Sequence, residues 1–160
     1  MTSRLSTVAV DLVHQLESLP PGVLRLVAAD AASIAVERTQ LADPRLRLGL
    51  EALSASDSGM ASARRAVEQL TQELDERAWD IQELVDAGAA SEEAYVEAFR
   101  QARAAAAVGY ALNPDPRTAA LESVYEAQAA LVYRELKVFT RPARRHARSR
   151  WRRGAGPSGW

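Results

Sequence analysis

An all-α fold is what this sequence predicts, on three observations. Aromatic residues make up only 6% of the chain, and alanine far outnumbers the β-branched residues, a balance that suits helices and starves a sheet. Apolar residues recur at intervals of three, four and seven over long stretches, the period of a helix face. Proline- and glycine-bearing corners separate those stretches.

About six helices follow in order. The first covers roughly Arg4 to Leu19 and is stopped by Pro20-Pro21-Gly22. The second runs from about Val23 to Leu41, with Leu24, Val27, Ala31, Ile34 and Leu41 near one face. Asp43-Pro44 turns into a shorter third helix that ends near Ser54, because Asp is a good N-cap and Pro is preformed for the first helical position. The polar run from Ser54 to Gly59 reads as a loop. The fourth helix, Met60 to Asp86, carries a stripe of Val67, Leu70, Leu74, Ala78, Ile81, Leu84 and Val85. Gly88 fits its stop, and Ser91 with Glu92 and Glu93 fits the next N-cap and acidic first turn. Helix five presents Tyr95, Val96, Phe99, Ala102, Ala106 and Tyr110, and Asn113-Pro114-Asp115-Pro116 breaks it. Helix six presents Leu121, Val124, Tyr125, Gln128, Val132, Leu136 and Phe139, ending before Arg141-Pro142.

The phrase Asp-Pro-Arg occurs twice, at Asp43-Pro44-Arg45 and at Asp115-Pro116-Arg117. One reading is an internal repeat: two helical hairpins, helices two and three matching five and six, related by a pseudo-twofold axis and joined by the long fourth helix. The other is that Asp-Pro is a common helix start and the match is convergent. Either supports a bundle, since short corners make antiparallel neighbours.

Composition bounds the function. The chain has 160 residues, the size of one domain, and is 48% hydrophobic, which excludes a fully disordered chain. It has no cysteine, so disulfides, thiolate metal sites and cysteine nucleophiles are excluded. Asp11, His14 and Glu17 interrupt the first apolar stretch, unlike a signal peptide, and no apolar run suits a membrane span. The expected localisation is cytoplasmic, with no membrane association. Residues 1–140 carry all 21 acidic residues and 13 of the 20 basic ones, while residues 141–160 carry seven arginines and no acid. The expected organisation is one acidic helical domain over 1–140 and a basic tail over 141–160.

Catalytic and metal patterns are missing. His14 and His146 are the two histidines, and neither belongs to a Glu-x-x-His or His-Glu-x-x-His motif. Neither a glycine-rich phosphate loop nor a serine elbow is visible. The expectation is a non-enzymatic protein with no cofactor and no metal.

Helix four bears the sharpest positive signal. At 100° per residue, Trp79 falls opposite Leu70 and Ile81, among Glu68, Asp75, Glu76, Glu83 and Asp86, with Asp80 at the margin. A tryptophan among carboxylates suits a basic partner, and Trp79, Asp75, Glu76, Asp80 and Glu83 are the candidate partner-binding set. Alternatively helix four is central and Trp79 packs beneath another helix. An exposed Trp79 face could also pair with a second copy in a homo-oligomer. Arg38 and Arg103 lie near apolar faces; Asp30 or Glu135 could pair with them, but snorkelling is the preferred reading. In the tail, Arg144, Arg145, Arg148, Arg150, Trp151, Arg152 and Arg153 form a candidate nucleic-acid-binding set, arginines on phosphates and tryptophan stacked on bases. The same segment also reads as a disordered solubilising end, or as one that folds back on the acidic body.

Ala28-Ala29-Asp30-Ala31-Ala32, then Asp43-Pro44-Arg45 and an alanine- and leucine-rich helix, precede a second half ending in Leu121-Glu122-Ser123-Val124-Tyr125-Glu126-Ala127-Gln128-Ala129. This order resembles the small all-α immunity proteins found beside bacterial polymorphic toxins, over roughly residues 24–136. Ala31 stands where that family usually has cysteine, and the histidines of its second half are absent. The resemblance implies a protein that binds and occludes a cognate toxin without catalysis. The leading expectation is therefore a protein-binding module, possible partners including a basic toxin domain; the alternative is a nucleic-acid-associated accessory or regulatory protein acting through its tail.

Overall fold

The structure is a computed structural model, and it describes residues 4–7, 9–55 and 59–132. A 3-10 turn at Arg4–Thr7 leads into α1 (Val10–Glu17), α2 (Pro21–Thr39), α3 (Pro44–Ser54), α4 (Met60–Asp86) and α5 (Glu92–Ala111). A further helix, α6, covers 116–132. No strand occurs among the described residues, so the all-α expectation holds. The expected continuation of helix six through Leu136 and Phe139 lies outside the described residues.

Local chemistry sets the helix ends. Pro20-Pro21, expected to stop the first helix, follows its end at Glu17 and also begins the second: Pro21 occupies a position whose N–H has no intrahelical partner anyway. The Pro20 carbonyl accepts from Val23 at 3.0 Å and Leu24 at 3.1 Å. The first helix is also shorter than expected, split into the 3-10 turn and α1. Gln40 closes α2 in the left-handed region at φ 52°.

Asp43 Oδ1 accepts from the Arg45 backbone N–H at 2.8 Å. Asp115 Oδ2 accepts from the Thr118 N–H at 2.8 Å and from its hydroxyl at 2.6 Å. Both Asp-Pro-Arg corners therefore start helices, each cap being worth about 1 kcal/mol. Gly88, at φ 76°, ends α4 in a left-handed turn that few other residues adopt. Gly88 N–H bonds to the Val85 carbonyl at 3.0 Å and Ala89 N–H to the Leu84 carbonyl at 2.8 Å, the paired bonds of a Schellman stop. Ser91 Oγ accepts from the Ala94 N–H at 3.2 Å to open α5.

The second half of α5 is enclosed on all sides. Ala102, Ala104, Ala105, Ala107, Val108 and Ala111 are all completely buried, and α5 packs against α2, α3 and α4. On its remaining side Ser123 Oγ of α6 donates to the Ala107 carbonyl at 2.8 Å. From Ala102 to Ala111 the only charged residue is Arg103, a pattern that suits the inside of a bundle, and alanine lets four neighbours approach it. On α3 the approach is tight at one point: a Cβ on Gly49 would lie 2.9 Å from Val108 Cγ1 and 3.0 Å from Val67 Cγ2. A second, smaller cluster joins Leu5, Val13, Leu16, Leu24, Ala120 and Leu121, pinning the N-terminal elements to α2 and α6.

Three expected faces are corrected by this packing, the first being the α4 stripe, whose Leu84 near the helix end is exposed. On α2 the buried line is Leu24, Ala28, Ala32, Ala35 and Thr39, and Ile34 is exposed. Large apolar residues lie on both sides of α2, whereas the side turned to α5 is alanine, which admits the shorter axis separation. On α6, Gln128 is exposed and the inward positions include Ser123, Glu126, Ala127 and Ala130.

Candidate partner-binding face

The orientation of α4 follows from its apolar stripe. Val67, Leu70, Leu74 and Ala78 are buried against α3 and α5, which turns the opposite ridge outward. Trp79 sits on that ridge and is 71% exposed, the highest value among the large apolar side chains at the surface of the described residues. It does not pack beneath another helix. Glu76, Asp80, Glu83 and Asp86 are exposed around it. Gln82 Nε2 donates to Asp86 Oδ1 at 2.9 Å, and none of the four carboxylates has an ion-pair partner among the described residues.

This arrangement works against the helix that carries it. Glu76 and Asp80 are four residues apart, Asp80 and Glu83 three, Glu83 and Asp86 three. Like charges at those separations destabilise a helix by about 0.2–0.5 kcal/mol per pair. Glu83 and Asp86 also lie in the last turn, where no basic residue offsets them and the helix dipole presents partial negative charge. The ridge is a concentration of unneutralised acid centred on an apolar ring.

Asp75, expected on the same face, stands at its edge and turns toward α5, where Arg103 Nη2 donates to its carboxylate. From there a chain of charges crosses the bundle. Arg103 Nη1 donates to Glu126 Oε2 at 3.0 Å, and the other Glu126 oxygen meets Arg4 Nη2 at 2.8 Å. Arg4 Nε donates to Glu122 Oε2 at 2.8 Å, and its guanidinium lies 4.7 Å from the Tyr125 ring centre and 5.3 Å from that of Tyr110.

Glu126 is 1% exposed, and its two carboxylate oxygens are paired with those two guanidiniums. Burial alone would lower the Arg103 pKa, but the charge of Glu126 and the hydrogen bond to Asp75 outweigh it and hold the group above its ordinary value. The expectation that Arg103 snorkels is thus corrected: carboxylates on two flanking helices are within reach, and pairing replaces the water it would otherwise seek. Arg38 is exposed, as snorkelling requires. Neither Arg4 nor Glu126 had stood out in the sequence; the available signal was Glu122 and Glu126, four residues apart on a helix whose other inward residues are mostly small.

A second staple ties α3 to α4. Arg45 Nη2 donates to Asp43 Oδ2 at 3.0 Å and to Glu73 Oε2 at 2.8 Å. Hydrogen bonding from Arg45 holds both the Asp43 and the Glu73 carboxyls below their ordinary pKa. Thus α4 uses Glu73 and Asp75 for internal staples and leaves Glu76, Asp80, Glu83 and Asp86 facing outward.

Elsewhere the surface offers less. An open apolar recess between α2 and α3 is lined by Val36, Leu41, Pro44, Leu46 and Leu50, with Asp43, Arg47 and Glu51 beside them. Among the described residues no group of three or more His, Asp or Glu side chains is placed to hold a metal, and no helix is long and apolar enough to cross a membrane. The candidate nucleic-acid set, Arg144, Arg145, Arg148, Arg150, Trp151, Arg152 and Arg153, lies outside the described residues. Comparison with protein-family models, curated proteins and solved structures gives no match.

Proposed function

We propose that the protein is a non-enzymatic helical binding module that docks a basic protein on the outer ridge of α4, with Trp79 as the anchor and Glu76, Asp80 and Glu83 as the charged surround. The observation that carries this reading is Trp79 itself, 71% exposed at the centre of carboxylates that repel one another. A basic partner would relieve that repulsion and cover the indole, so the binding energy concentrates where the free protein is least satisfied. Asp75 contributes at the edge, its orientation fixed by Arg103. Neutralisation of a toxin by occlusion, as the resemblance to immunity proteins implies, is one activity such a face would serve.

The test is a quantitative affinity for the bound partner. Trp79→Ala should weaken it by about 30-fold, the equivalent of about 2 kcal/mol. Glu83→Lys should slow association most at low salt. Unchanged affinity in Trp79→Ala would place the interface elsewhere. Binding to DNA or RNA by the intact chain, abolished by removing residues 141–160 and insensitive to Trp79→Ala, would favour the nucleic-acid alternative.

A further inference from the structure

We infer that the cage of carboxylates and tyrosine rings around Arg4 is a binding site for an alkylguanidinium group. Arg4 fills it in the free chain, and another guanidinium takes its place when the N-terminal turn lets go. The site is separate from the Trp79 ridge and does not depend on it.

The walls come from α5 and α6. Tyr110 stands on α5, and Glu122, Tyr125 and Glu126 stand on α6. Glu126 is 1% exposed, and Arg103 holds one of its oxygens at 3.0 Å, so the cage is fixed from behind without help from Arg4. Inside it the edge of the Arg4 guanidinium is gripped twice. Nε and Nη2 lie 2.8 and 2.7 Å from Glu122 Oε2, and Nη2 lies 2.8 Å from Glu126 Oε1. The ring centres of Tyr125 and Tyr110, at 4.7 and 5.3 Å, are within the range at which an aromatic face attracts a cation. Charge makes the same demand. Without Arg4 the connected group consists of Asp75, Glu122, Glu126 and the one guanidinium of Arg103. Three carboxylates against one cation, partly withdrawn from water, favour a second cation strongly.

The cage also has a mouth. The Arg4 side chain is 45% exposed although the Glu126 side chain it meets is 1% exposed, so the cage opens to water along Arg4. Arg4 sits in a 3-10 turn of four residues followed by the eight residues of α1, lengths at which an isolated helix is marginal. Leu5, Val13 and Leu16 hold this segment in the smaller core cluster, and Glu17 pairs with Arg117. A terminal segment on so few anchors opens locally before the bundle unfolds.

A guanidinium fits these walls better than other cations. It is planar, stacks on tyrosine and donates from one edge to two carboxylates, whereas an ammonium is a compact, strongly hydrated point charge. Because Arg4 is tethered, it meets the cage at an effective concentration on the order of mM. A ligand offering only a guanidinium therefore competes weakly in the intact chain, and one that brings further contacts displaces Arg4.

The test is a chemical rescue of the full chain carrying Arg4→Ala, with N-ethylguanidinium as the probe and ethylammonium as the control at equal ionic strength. The ring resonances of Tyr110 and Tyr125 should shift and saturate, with a dissociation constant on the order of mM. The urea midpoint should rise over the same concentrations. Ethylammonium should bind more weakly, and the wild-type chain should show no saturation. Adding Glu122→Gln to Arg4→Ala should weaken the probe about tenfold or more, the usual weight of a charged hydrogen bond. Arg4→Lys keeps a charge in the network and serves if Arg4→Ala does not fold; there the probe should saturate at a roughly tenfold higher concentration. A blocked arginyl tripeptide that binds Arg4→Ala more tightly than free L-arginine would support a protein side chain as the natural ligand. The reverse order would support a small guanidino compound. Shifts that stay linear, that ethylammonium equals, or that the wild-type chain reproduces would overturn the inference.

Discussion

The outer ridge of α4 should be a place where a charge reversal makes the protein more stable and less able to bind. Glu83 lies three residues from Asp80 and three from Asp86, in the last turn of a helix that ends at Asp86 without a basic residue there. Glu83→Lys removes two repulsive pairs of about 0.2–0.5 kcal/mol each and replaces them with attractive pairs of similar size. It also converts an unfavourable interaction with the helix C-terminus into a favourable one, a term of about 0.3–1 kcal/mol at an exposed site. The expected gain is about 1–3 kcal/mol, or roughly 3–9 °C in Tm for a chain of this size. Urea unfolding measures it directly: the midpoint should rise with an unchanged slope, and the gain should shrink at about 1 M salt. An unchanged or lowered midpoint at low salt would refute the reasoning, because the ridge carboxylates would then be neutralised in the free protein.

Glu126→Leu should destabilise the fold by about 3 kcal/mol, since it strands the guanidiniums of Arg103 and Arg4; a change under about 1 kcal/mol in urea unfolding would show that solvent already sustains them. Gly49→Ala should cost about 1 kcal/mol or more despite the better helix propensity of alanine. The added methyl would stand 2.9 Å from Val108 Cγ1, and valine side chains yield little; a raised Tm would contradict the close approach of α3 to α5. Acid should weaken the protein in a defined window. Asp43, Glu73 and Asp115 all have lowered carboxyl pKa values, the first two chiefly through hydrogen bonds from Arg45 and the third through bonds from Thr118. Their stabilisation is complete above the unfolded-state values of about 4 and is lost as pH falls through the lower folded-state values. Arg45→Gln should flatten the Asp43 and Glu73 part of that loss, which a comparison of urea midpoints at pH 6 and at about pH 3 would reveal.

Much of the fold was legible because helix ends carry local chemistry. The bounds of α3 and α4 match the expected ones at Pro44, Ser54, Met60 and Asp86, and the Asp43, Asp115, Ser91 and Gly88 signals all act as their residue types dictate. Which residues face inward was harder to read. Leucine and isoleucine draw attention on α2, yet Ala28, Ala32 and Ala35 are the completely buried ones; alanine has little hydrophobicity of its own and gains its place only from the neighbour it admits. The site divides in the same way. The angle of Trp79 from Leu70 is a property of one helix and was legible, whereas whether another helix covers it was one of two readings the sequence left open. The turn of Asp75 toward Arg103, and the burial of Glu126 between Arg103 and Arg4, depend on how α4, α5, α6 and the N-terminal turn meet. No single segment encodes that meeting.

The most direct trial of the docking face is a photo-crosslinking amino acid placed at position 79 in cells, with a matched chain carrying it at the exposed Leu26 of α2. One basic protein should be captured from position 79 and not from position 26, and its affinity should fall about 30-fold with Trp79→Ala. Equal capture from both positions, or an affinity indifferent to Trp79, would contradict the account.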